Sequence, residues 1–247
     1  MLFSTNGMKA VILCAGLGTR LRPITDTIPK VMVEIGGKPL LQHHIEWLVE
    51  NGIRDIGINL FYLPDVITDF FGDGSRFGAK IRYSIEKTLS GTAGGFKNFK
   101  DFVGNEKCLV IYGDNFFSLD LKDFEKFHDT KKGIVSIALK RFEDLTGKGI
   151  VGLDERECIL WFKEKPKPEE VTTNLVNAGI YIFEPEIFSY IPEDRDYDFG
   201  KDIFPSLLEK GIKMYGYHLS GYLVDIGTFT ALEQVKKDYP SIFLPKK

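Results

Sequence analysis

The run Ala15-Gly16-Leu17-Gly18-Thr19-Arg20 holds residue types that can grip a phosphate chain. Its glycines let the backbone come close to an anion, and successive amides there can form an anion-binding concavity. Thr19 adds a hydroxyl and Arg20 a forked cation. Lys30 follows, behind Pro29. The run lacks the Gly-Lys-Ser/Thr of a Walker A loop, and Arg22 stands near the place of the third glycine in a dinucleotide-binding fingerprint. Glycines alone would equally suit a tight strand-to-helix connection; Thr-Arg and the later Pro-Lys favour phosphate.

Two carboxylates follow strand-like runs. Asp114 comes after Leu109–Tyr112 and Gly113. Its hard oxygens suit Mg²⁺, which takes one or two protein carboxylates and completes its shell with phosphate and water. The plainer alternative is a turn residue or helix cap. Glu86 follows Ile81–Ile85 and can only accept hydrogen bonds while ionised. Guanine offers two adjacent donors that such an acceptor can match better than the edges of uracil or thymine; the plainer reading is a solvated strand end. His43, His44, His128 and His218 show no ligand spacing and read as structural. Cys14 and Cys108 sit in apolar runs and read as buried free thiols, and reduced cytosol follows as the compartment.

These residues need a scaffold, and the pattern supplies alternating strands and helices. Strands are expected at Ala10–Cys14, Ile56–Leu60, Ile81–Ile85, Leu109–Tyr112 and Ile134–Leu139, with helices at Leu40–Glu50, Pro64–Phe71, Ala93–Phe102 and Leu121–Thr130. The second half reads as an antiparallel insertion: Ile150–Leu153 paired with Ile159–Phe162, a polar loop over Lys163–Thr173, then Val176–Phe183. A helix at Ile203–Lys210, a strand at Lys213–His218 and a helix at Thr228–Lys237 complete the chain. The 247 residues, 43% hydrophobic and 27% charged, suit one α/β domain. A net charge of −3 supplies no basic field for nucleic acid or an anionic membrane, and no apolar run approaches a membrane span.

The segment Lys9–Ile35, with AGLGTRLRPIT and PKVM, resembles the signature of the sugar-1-phosphate nucleotidylyltransferases, nearest to the mannose-1-phosphate guanylyltransferase-like members. The likeness runs from Met8 to Tyr239 through GDGSRFG (72–78), SGTAGG (90–95), YGDN (112–115), EKP (164–166), NAGIYIF (177–183) and VDIGT (224–228). It implies a GT-A/Rossmann-like three-layer domain with a mixed, mostly parallel sheet over residues 8–240, an extension at 1–7 and a tail at 241–247. By the same resemblance Ala15, Gly16, Gly18, Thr19 and Arg20 line the triphosphate, Lys30 holds phosphate at the reacting centre, and Glu86, Gly91 and Thr92 serve the nucleotide. Gly152, Glu164, Lys165, Asn177 and Gly179 hold the sugar phosphate. Asp225 joins Asp114 on Mg²⁺, unless it caps the helix near Thr228.

The reaction implied joins an NTP to a sugar 1-phosphate, giving a nucleotide-sugar and pyrophosphate. GTP with mannose 1-phosphate comes first, ahead of GDP-heptose, UDP-sugar or dTDP-sugar synthesis. The alternative from another class is a non-catalytic regulatory subunit that binds nucleotide-sugar. The expected partners are these small molecules alone, and a homodimer is compatible with a sequence that fixes no oligomeric state.

Overall fold

Ala10, Val11 and Ile12 are all fully buried, although consecutive strand residues point to opposite faces. A strand of this kind must be covered on both sides, as in parallel sheets flanked by helices. The computed structural model, which describes residues 7–193 and 196–243, places it at the centre of such a sheet. The expected N-terminal extension and C-terminal tail lie largely outside the described residues.

In chain order the elements are β1 (Lys9–Leu13), β2 (Glu34–Ile35), β3 (Lys38–Pro39), α1 (Leu40–Glu50), β4 (Asp55–Leu60), α2 (Pro64–Phe71), β5 (Lys80–Ile85), α3 (Gly91–Lys97), α4 (Lys100–Val103), β6 (Cys108–Tyr112) and β7 (Asn115–Phe117). There follow α5 (Leu121–Lys131), β8 (Val135–Arg141), β9 (Gly149–Leu153), β10 (Ile159–Glu164), β11 (Leu175–Phe183), α6 (Phe204–Glu209), β12 (Met214–His218), β13 (Leu223–Asp225) and α7 (Phe229–Phe243). The nine-stranded sheet runs β10-β9-β11-β6-β1-β4-β5, with β8 beside β11 and β12 beside β8. Parallel pairing joins β6, β1, β4 and β5, while β11 is antiparallel to β6, β8 and β9, and β10 to β9. β12 pairs parallel to β8, so seven of the nine strands run one way and β10 and β11 the other: the sheet is mixed and, by strand direction, mostly parallel.

Alternation sorts the core into layers. Ile12, Ile58 and Ile111 pack with Leu41, Ile45 and Ile67 of α1 and α2 on one face. Val11 and Val110 pack with Phe96, Phe99 and Phe204 on the other. A third, smaller cluster (Leu21, Ile35, Phe116, Ile226, Leu232 and Val235) lies around a two-stranded ribbon of β7 and β13. That ribbon was not expected, because neither strand exceeds three residues. The helix expected over Ala93–Phe102 is split into α3 and α4, and α7 runs past Lys237 to Phe243.

Candidate active site

Parallel strands all present their carboxyl ends to one side, and ligands bind there. The turn after β1 carries the phosphate loop, β5 ends before Glu86, and β6 ends before Asp114. Asp225 arrives by the ribbon: it stands opposite Asn115 in the β7–β13 ladder, and Ile226 N–H donates to the Asp114 carbonyl at 3.1 Å. Thr228, not Asp225, caps α7, taking the Ala231 N–H on its hydroxyl at 3.2 Å.

Lys30 joins the two carboxylates. Its Nζ donates to Asp114 Oδ2 and to Asp225 Oδ1, each at 2.8 Å. The side chain is only 8% exposed. Burial alone would lower the pKa of this ammonium; the two carboxylates outweigh it and hold the value above that of ordinary lysine. Arg20 Nη2 reaches to 3.8 Å from Asp225 Oδ2 but is largely exposed. Two carboxylates and two cations thus share one point. Among the described residues no set of three or more His, Cys, Asp and Glu gathers for a metal. The Asp114–Asp225 pair, whose oxygens already converge on one cation, fits a hard divalent ion that draws its other ligands from phosphate and water. Behind Asp114, His44 Nε2–H donates to the Gly113 carbonyl at 3.2 Å, and the ring stacks on Phe117. Burial pushes the His44 pKa down to about 4, so the ring is neutral at physiological pH.

Two adjoining cavities meet at this point, sharing Thr92, Tyr112, Asp114 and Asp198. One, of about 250 Å³, is lined by Ala15, Gly16, Lys30, Glu86, Gly91 and Thr92, all expected on the nucleotide. Gly18 caps a 3₁₀ turn over Thr19–Leu21, and neither it nor Thr19 nor Arg20 is among the residues lining the two cavities; the Gly18 carbonyl accepts from the Thr25 hydroxyl at 2.8 Å. Glu86 faces this cavity with its oxygens already engaged: Oε1 accepts from Asn59 Nδ2 at 2.6 Å, and Oε2 from Ser90 N–H and Oγ at 2.9 and 2.7 Å.

The other cavity, of about 260 Å³, is lined by Glu164, Lys165, Asn177 and Gly179 together with both aspartates. Gly179 has a φ of +65°, and a Cβ there would stand 2.7 Å from the Tyr112 ring, so the bulge in β11 depends on glycine. Asn177 supports that bulge, accepting from Gly179 N–H at 3.0 Å and donating to the Tyr181 hydroxyl at 2.8 Å. Burial raises the Glu164 carboxyl above the usual range, against the pull of Lys165. Gly149 and Gly200 flank it so closely that a Cβ on either would lie 2.6 Å from Glu164 Oε2.

Gly152 requires correction. It faces the Trp161 indole across the β9–β10 ladder, with no room for a Cβ, and it is Gly149 that lines the cavity. Strand alternation cannot tell two glycines three apart until the register is known. The sequence reading also missed Asp198 and Lys201, which line the second cavity. Asp198 Oδ1 accepts from Thr92 N–H and Oγ1, each at 3.2 Å, and Oδ2 pairs with Lys201 at 3.1 Å. Burial opposes ionisation of Asp198, but the Thr92 bonds and Lys201 hold its pKa below the ordinary value. The available signal was the polar turn Asp198-Phe199-Gly200-Lys201 just before a helix.

The protein-family model described as "Nucleotidyl transferase" matches residues 9–241. The chain is 40% identical over 233 residues to the UTP–glucose-1-phosphate uridylyltransferase of Synechocystis, covering 89% of this chain and 60% of that protein. It is 36% identical to the mannose-1-phosphate guanylyltransferase of Mycobacterium tuberculosis, with 91% and 62% covered. It is also 36% identical to the D-glycero-α-D-manno-heptose 1-phosphate guanylyltransferase of Campylobacter jejuni, with 89% and 95% covered. The chain thus spans about 60% of the length of the first two relatives and nearly all of the third. A Bacillus anthracis structure assigned as a glucose-1-phosphate thymidylyltransferase superposes with a TM-score of 0.84 at 29% identity, covering 97% of this chain and 98% of that one. With the fold, the phosphate loop and these matches in agreement, the chain belongs to the nucleotidyl transferase family.

Proposed function

We propose that this chain transfers a nucleotidyl group from an NTP to a sugar 1-phosphate, releasing pyrophosphate. The observation that carries the reading is the junction of two cavities at Asp114, where Lys30 bridges Asp114 and Asp225. One cavity takes the nucleotide on the phosphate loop; the other takes the sugar phosphate, with Lys165 near its phosphate and Glu164 accepting from hydroxyls. A sugar-phosphate oxygen attacks the α-phosphorus in line with the departing pyrophosphate. That oxygen is already ionised, so no side chain need remove a proton. Arg20 and Lys30 align the triphosphate and offset the charge that develops on it. A Mg²⁺ ion held by Asp114 and Asp225 would add Lewis-acid charge neutralisation on the phosphate oxygens.

The guanine preference rested on Glu86 as an acceptor, and three of the roughly four acceptor sites on its carboxylate are taken by Asn59 and Ser90. The reading therefore stands at the level of the reaction class, and relatives of comparable identity span uridylyl and guanylyl transfer. The three free cysteines suit a reduced cytosol. No helix among the described residues is long and apolar enough to cross a membrane.

Four NTPs assayed against mannose, glucose and heptose 1-phosphates, with pyrophosphate release as readout, test the reading and assign the pair. Turnover is expected with Mg²⁺ and lost in excess EDTA. Undiminished turnover in EDTA would remove the metal from the mechanism. Binding of nucleotide-sugar without pyrophosphate release from any pair would leave the regulatory-subunit reading instead.

A further inference from the structure

We infer that Asn59 and Glu86 form a buried polar clasp that sets the spacing of the two nucleotide loops, and that Glu86 serves nucleotide binding by positioning those loops rather than by reading the base. The inference rests on the proposed nucleotide cavity.

Asn59 is 2% exposed and stands near the end of β4, level with Leu13 of β1 and Ser84 of β5. Its two amide ends are assigned by their partners. Cys14 N–H, at the root of the phosphate loop, donates to Oδ1 at 2.7 Å, so Nδ2 must face Glu86. Glu86 carries the connection on to Ser90, the residue before α3. One face of α3 presses on the clasp: a Cβ at Gly95 would collide with Asn59 Nδ2 and stand 2.8 Å from Glu86 Oε1. The chain Cys14–Asn59–Glu86–Ser90 therefore crosses three parallel strands and joins Cys14 to Ser90, 76 residues further along, through bonds of fixed donor and acceptor sense. Bonds to a desolvated carboxylate are among the strong ones, and a donor left facing a donor is costly.

That fixed sense permits a swap. Glu86→Gln sets an NH₂ group against either the Asn59 NH₂ or the Ser90 donors. Asn59→Asp sets a second carboxylate against Glu86. The double variant Asn59→Asp/Glu86→Gln restores every partnership: the new aspartate accepts from Cys14 N–H and from the new glutamine, whose carbonyl accepts both Ser90 donors. The net charge equals that of the wild type.

The experiment measures the Kd of each of GTP, UTP, dTTP and CTP, together with kcat and both KM values, for the wild type, both single variants and the double variant. Each single variant is expected to weaken all four triphosphates by a similar factor of at least about ten, with the KM for sugar phosphate unmoved. The double variant is expected to return to within about threefold of wild type. A loss in Glu86→Gln confined to one base and not rescued by Asn59→Asp would overturn the clasp in favour of base reading. A double variant as weak as the singles, or insoluble, would also overturn it. Should a single variant fail to fold, a soluble double variant with wild-type Kd values still supports the complementarity, and Ser90→Ala, which deletes one donor, must weaken all four triphosphates alike. A wild type that binds NTP but releases no pyrophosphate sinks the proposed reaction while leaving the Kd comparison intact.

Discussion

Lys30 shows how one side chain can do two things at once. It is a buried cation that satisfies two convergent carboxylates, and it lines the cavity proposed for the nucleotide while both its partners line the adjoining one. Replacing it leaves Asp114 and Asp225 facing each other, with the exposed Arg20 at 3.8 Å from Asp225. Lys30→Ala and Asp114→Asn are each expected to lower kcat by at least about a hundredfold, the scale on which preorganised charge acts in a reacting site. Steady-state kinetics on folded variants check this, and an unchanged kcat in Lys30→Ala would take Lys30 out of the reaction. Arg20, Lys30 and Asp114 could be singled out in the sequence because they belong to short local runs, and the structure brings them together around Asp225. The partnership of Glu86 with Asn59 was not legible there, because it depends on which strands lie side by side, and the two residues are 27 apart in the chain.

At the scale of elements, short pieces were the hard ones. Helix α1 lies over Leu40–Glu50 as its apolar spacing indicated. The β7–β13 ribbon could not be foreseen, since three residues carry too little alternation to mark a strand. Gly152 was expected at the sugar phosphate by resemblance, but the register of β9 with β10 sets it against Trp161 and sets Gly149, in the same strand, against Glu164. Helix α1 also contributes to the site from behind, through His44 and the Gly113 carbonyl. His44→Leu orphans that buried carbonyl, a loss of about 1–3 kcal/mol, and loosens the turn that carries Asp114. The expected result is a lower thermal midpoint and a reduced kcat, both largely restored in His44→Gln. Because the ring is already neutral well above its pKa of about 4, the wild-type pH–rate profile from pH 6 to 9 should show no step from this group. A histidine step within that range assigned to His44 by its loss in His44→Gln would contradict the geometry.

For the whole molecule, alternating strand and helix runs were enough to indicate a sheet covered on both faces, and the central burial of β1 follows from them. Strand order was not readable, because β11 runs against β6 and inserts beside it only after β8, β9 and β10 have intervened in the chain. The core is also unequal. Two large clusters lie on the faces of the sheet, while the ribbon and α7 rest on a smaller one. Small clusters open at lower free energy than the main core. Hydrogen exchange should therefore be faster at the ladder amides of β13 and in α7 than in β1 and β6, and equal protection throughout would show a single cooperative unit.

The position of β13 along the chain separates the sheet from the site. Arg20, Lys30, Asp114 and every strand of the nine-stranded sheet, the last ending at His218, precede Asp225 in the sequence. Asp225 reaches Lys30 through the β7–β13 ribbon, which shares no ladder with that sheet. Opening of the ribbon would therefore part Lys30 from one of its two carboxylates while every ladder of the large sheet stays closed, so a chain can keep its sheet whole and still lack the second carboxylate at Lys30.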